Sequence, residues 1–460
     1  MSTKLSPKMI LAWVLSLGVP LLIYFIPTTE LFTPTMRTFL VLSVMAILMI
    51  AFENVPTAAV TFLLPCLYIV FGVAAPDVAW SSWTKPTFWM VVGALLMVNV
   101  LETSGLLQRI SFSILKLTGG SYVSILIGIA LIGTVLNIIL FGNAYVLLAG
   151  LAYGLCKALN LEKFSKEGTG IFLVAAIAGI IPTGFAYGAN LFMIEAYWSS
   201  VIETHIGWSE FTFFMIPYMI YFALAVVLVI FMYRSKRDLD SKAYAAAELE
   251  KLGKMTANEK KAIAWLVLMF SYVIYTGFTG GDCTFAFILI PGFMLLPLVG
   301  CGTGENVKNL DLTFILFVAS CMTIGFVAGG LGFGELVSAL SAPVVESSTP
   351  TMLVIILYVV NVVLNFLLTP MAIMAGFTAT FTQIALDLGL NPLVVYAVEF
   401  FGQDQILFPY EYALYLLYFS FGFISMKEFV KYFGAKLVLG FITLIAIALP
   451  FWKFTGVFFG

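Results

Sequence analysis

Charge is scarce in this chain. Only 10% of its 460 residues are Asp, Glu, Lys or Arg, and 62% are hydrophobic, whereas soluble domains carry about 25% charged residues. That balance excludes a soluble globular protein and puts the chain in a membrane. The 22 basic and 24 acidic residues nearly cancel, to a net charge of −2, so there is no cationic surface for nucleic acid. Histidine occurs once, as His205, and Cys66, Cys156, Cys283, Cys301 and Cys321 stand singly without CxxC spacing. A metal centre or a redox pair has nothing to be built from, and the cysteines read as small core hydrophobes. HExxH, GxSxG and the P-loop pattern are all missing, which argues against an intramembrane enzyme and against ATP-driven work by this chain.

What the chain has is apolar length. After a first run, Met9 to Ile26, hydrophobic stretches fall at 37–52, 56–74, 87–105, 121–159, 169–204, 211–233, 261–278, 283–300, 311–330, 351–389, 392–425 and 431–456. One crossing needs about 20 residues. The first run follows Lys4 and Lys8, is long enough to span and lacks a small-residue cleavage site, so it reads as a retained helix rather than a signal peptide. The expected organisation is an N-terminal helix at 1–36, a first repeat at 37–233, a linker at 234–260 and a second repeat at 261–460.

Two long runs, Ile127 to Leu159 and Val354 to Leu390, are interrupted near their middle and hold matching places in the two halves. Backbone freed from a helix inside a bilayer is tolerable only where it lines protein or a water-filled cavity, so paired interruptions point to the binding site of a secondary transporter. The polar linker carries Arg234, Lys236, Arg237, Lys242, Lys251, Lys254, Lys260 and Lys261, and the positive-inside rule places it in the cytoplasm. With a cytoplasmic N-terminus and both interrupted runs re-entrant, Arg109, Lys116, Lys163, Lys166, Lys308, Lys427 and Lys431 also fall inside, and the outer loops keep only Lys85. The two hairpins then open to opposite faces, as in an inverted repeat. The expectation is an all-α polytopic protein with eleven crossings and two opposed re-entrant hairpins.

The order of elements resembles the divalent anion/sodium symporters that carry dicarboxylates, citrate or sulfate. The likeness runs along nearly the whole chain, through Glu53-Asn-Val-Pro56-Thr57, Thr103-Ser-Gly105-Leu-Leu-Gln-Arg109-Ile, both hairpins and Met426-Lys427-Glu428-Phe429. In that family each hairpin tip carries a Ser-Asn-Thr triplet and the broken helix after it a Thr-Pro-Pro-Asn-like turn, which together hold sodium and the substrate's carboxylates. Here the first triplet falls on Gly142, Asn143 and Ala144 and the second on Thr369, Pro370 and Met371, while the turns fall on Tyr187-Gly188-Ala189-Asn190 and Tyr412-Ala413-Leu414-Tyr415. The resemblance implies substrate contacts at Gly142, Asn143, Ala144, Tyr187, Asn190, Thr369, Pro370, Met371 and Tyr412, with Na+ or H+ as the coupling ion and no resident cofactor. It also implies a homodimer and an elevator-like movement. Gly and Ala in place of hydroxyl residues remove hard oxygen ligands that a sodium shell uses.

In their place stands a polar cluster. Glu399, Gln403, Asp404, Gln405 and Glu411 interrupt an apolar span around Pro409, although an ionised acid at mid-membrane costs roughly 2.5–3.5 kcal/mol. Glu399, Gln403, Asp404 and Glu411, with Asn137 and Asn365 on the first arms of the hairpins, are the candidate ion- or proton-coupling residues. The alternative for the asparagines, Asn361 included, is hydrogen bonding between helices. Glu195 lies either at a site or at the end of a span, and His205, beside Glu203 and Trp208, reads as a surface residue. Trp80, Trp83, Trp89, Trp198 and Trp208 suit an interfacial belt, and the alternative for Gly142 and Gly376 is close backbone approach alone. Leu106 to Leu117 is amphipathic and suits the membrane surface. The acids favour proton coupling, or a cationic or neutral substrate, while the resemblance implies a secondary transporter of a small organic anion, di- or tricarboxylate-like. The expectation is that anion transporter, with proton coupling ahead of sodium. A cation/proton antiporter of the same superfamily is the runner-up, and a channel or non-transporting scaffold the other class.

Overall fold

The computed structural model describes residues 7–460 except 53, 200, 203, 236, 237, 240, 280–282 and 367. The readings made on Glu53, Glu203, Lys236 and Arg237 therefore lie outside the described residues. Among the described residues the architecture is helical, apart from a two-residue pairing of Gly120–Ser121 with Asp238–Leu239 and an isolated bridge between Leu390 and Phe459.

Both interrupted runs are helical hairpins. The first has arms Tyr122–Ile139 and Tyr145–Ala158, and the second has arms Pro350–Asn365 and Pro370–Asp387. Their starts are written in capping chemistry. Ser121 accepts from Ser124 N at 3.2 Å, while Thr349-Pro350 and Thr369-Pro370 each join an N-cap hydroxyl to a proline at the first helical position, where its missing N–H costs nothing. The first hairpin turns through Gly142 at φ +97°, a conformation that favours glycine.

Each hairpin is followed by a broken span: Lys166–Ile180 then Ala189–Trp198, and Pro392–Gln403 then Ala413–Ser420. Pro182 and Pro409 sit in short 3-10 turns at the two breaks, where they cannot continue an α-helix. The first piece of each broken span packs on its own hairpin. The second piece crosses over: Ala189–Trp198 lies on the second arm of hairpin 2, and Ala413–Ser420 on the second arm of hairpin 1. The two halves thus brace each other reciprocally.

Hydrogen bonds show which ends lie together. Hairpin 1 opens beside the linker, and so does its preceding arm, Leu106–Thr118, whose Arg109 donates to Glu259 Oε1 at 2.6 Å and to Gly253 O at 3.0 Å. Ser235 donates to Glu167 at 2.6 Å and Tyr233 to Glu428 at 2.6 Å, which brings the starts of the first broken span and of the last long helix to the same end. The Leu312–Gly330 helix starts near this end, where Asn306 donates to Thr103 Oγ1 at 2.8 Å. It leads to the Phe333–Ser347 helix at the far end. There Ser338 donates to Asp387 at 2.8 Å, at the mouth of hairpin 2. The hairpins therefore open at opposite ends, and the basic residues expected on one face gather around the linker.

Continuous spans are fewer than the apolar stretches suggest. Among the described residues four helices are long and apolar enough to cross alone, and two bent pairs join them: Phe88–Ser104 with Leu106–Thr118 at 67°, and Trp208–Phe214 with Ile216–Met232 at 49°. The remaining stretches carry shorter helices such as Thr57–Val70, whose 14 residues rise about 21 Å at 1.5 Å each. Proline and breaks, rather than polar sequence, shorten them.

Single cysteines at Ser121 and Asn160 should react with an impermeant maleimide from the same face as one at Lys251, and those at Ser348 and Asp387 only from the other face. Labelling of both hairpin mouths from one side would refute the opposed arrangement.

Candidate functional site

Side-chain N–H groups meet the backbone carbonyls at the two breaks, although Gly402 O and Asp404 O also accept from Gln405 N at 3.0 Å and Ile406 N at 3.1 Å. In the first half Asn137 Nδ2 donates to Ala178 O at 2.9 Å and Gly179 O at 3.3 Å, and its Oδ1 accepts from Ala144 N at 3.3 Å. One fully buried asparagine thereby ties the hairpin tip to the broken end. The close approach needs Gly133, where a Cβ would lie 2.4 Å from Ala178 O. Asn143 Nδ2 turns back to Leu140 O at 3.3 Å, and Asn190 Nδ2 closes the break on Thr183 O at 3.2 Å. A Cβ on Gly142 would meet Thr183 and the Asn190 amide at 3.5–3.8 Å, so Gly142, Ala144 and Asn190 belong to one place.

The second half repeats the device. Asn365 Nδ2 donates to Gly402 O at 3.0 Å and Gln403 O at 3.1 Å, and Gly402 gives the clearance, since a Cβ there would stand 2.5 Å from Asn361 Cβ. This half is less complete. Asn361 Oδ1, Asn365 Oδ1 and Gln403 Nε2 are buried without a hydrogen-bond partner, each at a cost of about 1–3 kcal/mol. Thr369 and Pro370 serve as the start of the second arm, with Thr369 Oγ1 accepting from Ala372 N at 3.4 Å. Met371 packs against the core. Tyr412 begins the Ala413–Ser420 helix, its ring edge-on to Tyr415 at 5.9 Å. Tyr187 points away from the tip, donating to Ile206 O at 3.1 Å.

The three acids of the second span have three different environments. Glu411 accepts from Leu407 N at 3.1 Å and Phe408 N at 2.9 Å, closing the turn around Pro409. Asp404 accepts from Tyr221 at 2.7 Å and Tyr415 at 2.6 Å. The Lys436 ammonium lies 2.6 Å from Asp404 Oδ2 and 2.5 Å from Asp404 O, with the Phe433 ring 5.0 Å away. Among the described residues, wholly buried Glu399 accepts only from the Thr378 hydroxyl, at 2.9 and 3.0 Å. No cation pairs with it among the described residues. Nor does any group of three or more metal-ligating His, Cys, Asp or Glu side chains occur among them.

A family described as the sodium:sulfate symporter transmembrane region matches residues 8–458. The chain belongs to that family. It is therefore a multi-pass membrane protein of a transporter family. Comparison with curated proteins returns no match. Among solved structures, the chain resembles the YdaH transporter of Alcanivorax borkumensis, described as having an unusual topology. The identity is 12%, the coverage 98% of this chain and 99% of that one, and the TM-score 0.58; at that identity the likeness shows the fold alone.

Within this family member, the sequence reading assembles most of its candidates at the two breaks, with Tyr187 set apart. It missed Lys436. That lysine follows Lys427 and Lys431 and reads as a continuation of their basic helix start, yet it lies ten residues into the Met426–Thr443 helix and is wholly buried. Its signal was the position itself, since a cation that deep requires an anion partner.

Removing one member of a buried ion pair costs about 3–5 kcal/mol, whereas removing both is far milder. Lys436→Met should therefore lower thermal stability of the purified protein strongly, and Asp404→Asn/Lys436→Met should recover much of the loss. Equal losses in both would show that the pair is not coupled.

Proposed function

We propose that this protein is a secondary transporter of a small di- or tricarboxylate-like organic anion, coupled to protons rather than sodium. The carrying observation is the occupancy of the broken ends. Ala178, Gly179, Gly402, Gln403 and Asp404 each accept a side-chain N–H at their carbonyl oxygen. Such carbonyls are the hard oxygens that a sodium ion takes where backbone is unwound. At the second break the Lys436 ammonium already provides the positive charge that complements both Asp404 and the C-terminal end of a helix dipole.

The anion's attraction comes from helix N-termini. Tyr145–Ala158 and Ala189–Trp198 begin at the first break, and Pro370–Asp387 and Ala413–Ser420 at the second, and free N–H groups at such starts bind carboxylates. Lys436 also removes much of the repulsion that Asp404 would exert on an anion. Glu399 is the proton carrier in this reading. As a neutral acid it stays where it is, and as an anion it needs a cation that no described residue provides.

An elevator-like movement in a homodimer suits the seam beneath hairpin 2. Ala46, Ile47 and Ile50 face Ala372 and Ala375 across a crevice of about 10 Å³, an apolar surface with little to hold one register. The cation/proton antiporter remains the second reading, favoured by the open Oδ1 atoms of Asn361 and Asn365 beside the same break.

Proteoliposomes decide between these. Uptake of labelled succinate or citrate should follow an imposed proton gradient, ignore replacement of sodium by choline, and lose the response to pH in Glu399→Gln while counter-exchange persists. Sodium-dependent uptake, or a Glu399→Gln variant with an unaltered pH response, would sink the coupling assignment. Proton release on adding a monovalent cation, without anion uptake, would favour the antiporter.

A further inference from the structure

We infer that the end opposite the linker holds a second anion site, built on Lys85 and His205, that receives a small dianion before it reaches the breaks. The inference rests on the anion-transport reading and extends it to a separate place. A cavity of about 400 Å³ opens there, lined by Lys85, Glu195, Ser199, Thr204, His205 and Thr284, a volume within the range of small-ligand pockets. It lies between the Pro86–Ser104, Thr284–Phe293 and Leu312–Gly330 helices on one side and the end of Ala189–Trp198 on the other. The wall contributed by Ala189–Trp198 is thus continuous with the first break.

The chemistry of the lining selects for negative charge. Lys85 has no acidic partner among the described residues, and its ammonium stands 5.0 Å from the Phe326 ring centroid. It is the N-cap residue of Pro86–Ser104, and Thr284 is the first residue of another helix, so two positive dipole ends face the cavity along with the lysine. His205 Nδ1 lies 3.2 Å from Glu195 Oε2, and Glu195 Oε1 accepts from Ile206 N at 2.6 Å. Hydrogen bonds to Cys283 and Glu195 push the His205 imidazole up to about 10, so the ring is an imidazolium at neutral pH. Among the described ionisable groups of the lining, two cations face one carboxylate. The Thr204 hydroxyl adds a donor suited to sulfate or a dicarboxylate, while the Ser199 hydroxyl is committed to Ala196 O at 2.7 Å.

Titrations of the purified full-length protein with sulfate and with succinate, at fixed ionic strength and neutral pH, test this directly. Lys85→Gln/His205→Gln should raise the Kd of both anions about tenfold and raise KM for uptake with little change in kcat, because the interaction precedes the translocation step. Lys85→Arg should retain most of the affinity. Asn143→Ala, at the tip, should impair uptake and leave this binding in place. An unchanged Kd in the double variant, with normal thermal stability, overturns the site while the transport reading stands. Wild-type protein that takes up neither anion but binds both at Lys85 and His205 would instead overturn the transport reading and keep the site.

Discussion

Everything in this molecule depends on how two helices are allowed to stop inside a membrane. A broken helix leaves carbonyl oxygens with no intrahelical donor, and in lipid each unpaired group costs several kcal/mol. Here Asn137 and Asn365, on the first arms of the two hairpins, reach across to the broken ends and donate to two carbonyls each. The hairpins exist to carry those donors, and Gly133 and Gly402 give the backbones room to approach. Breaks, hairpins and glycines form one solution to one constraint, used twice with the chain inverted.

The two copies are not equivalent. Asn137 uses both ends of its carboxamide, so the first site is closed. In the second, Asn361 Oδ1, Asn365 Oδ1 and Gln403 Nε2 stay open, and a lysine and three acids have been added around the break. The buried Asp404–Lys436 pair, with two tyrosine hydroxyls on the same carboxylate, is rigid chemistry. Glu399, held by a hydroxyl alone, is the adaptable part. The asymmetry leaves the first break closed by one asparagine and gathers the charged groups at the second.

Much of the fold was legible in the sequence because its punctuation is strong. Interrupted apolar runs marked the hairpins, and basic residues marked one face. Chain-level patterning cannot show which polar groups meet across 41 residues, as Asn137 and Ala178 do, or across 32, as Lys436 and Asp404 do. The acids were conspicuous by composition, but their separate roles are set by tertiary partners. His205 is exposed, as the sequence has it, but the sequence does not show that Glu195 and Lys85 share its cavity.

The proposal of proton rather than sodium coupling rests on side-chain N–H groups meeting the carbonyls of the broken ends. Equilibrium binding of radiolabelled sodium to the purified protein tests it most directly. No saturable sodium site is expected in the wild type, whether or not succinate is present. Saturable, stoichiometric binding that succinate strengthens would contradict it.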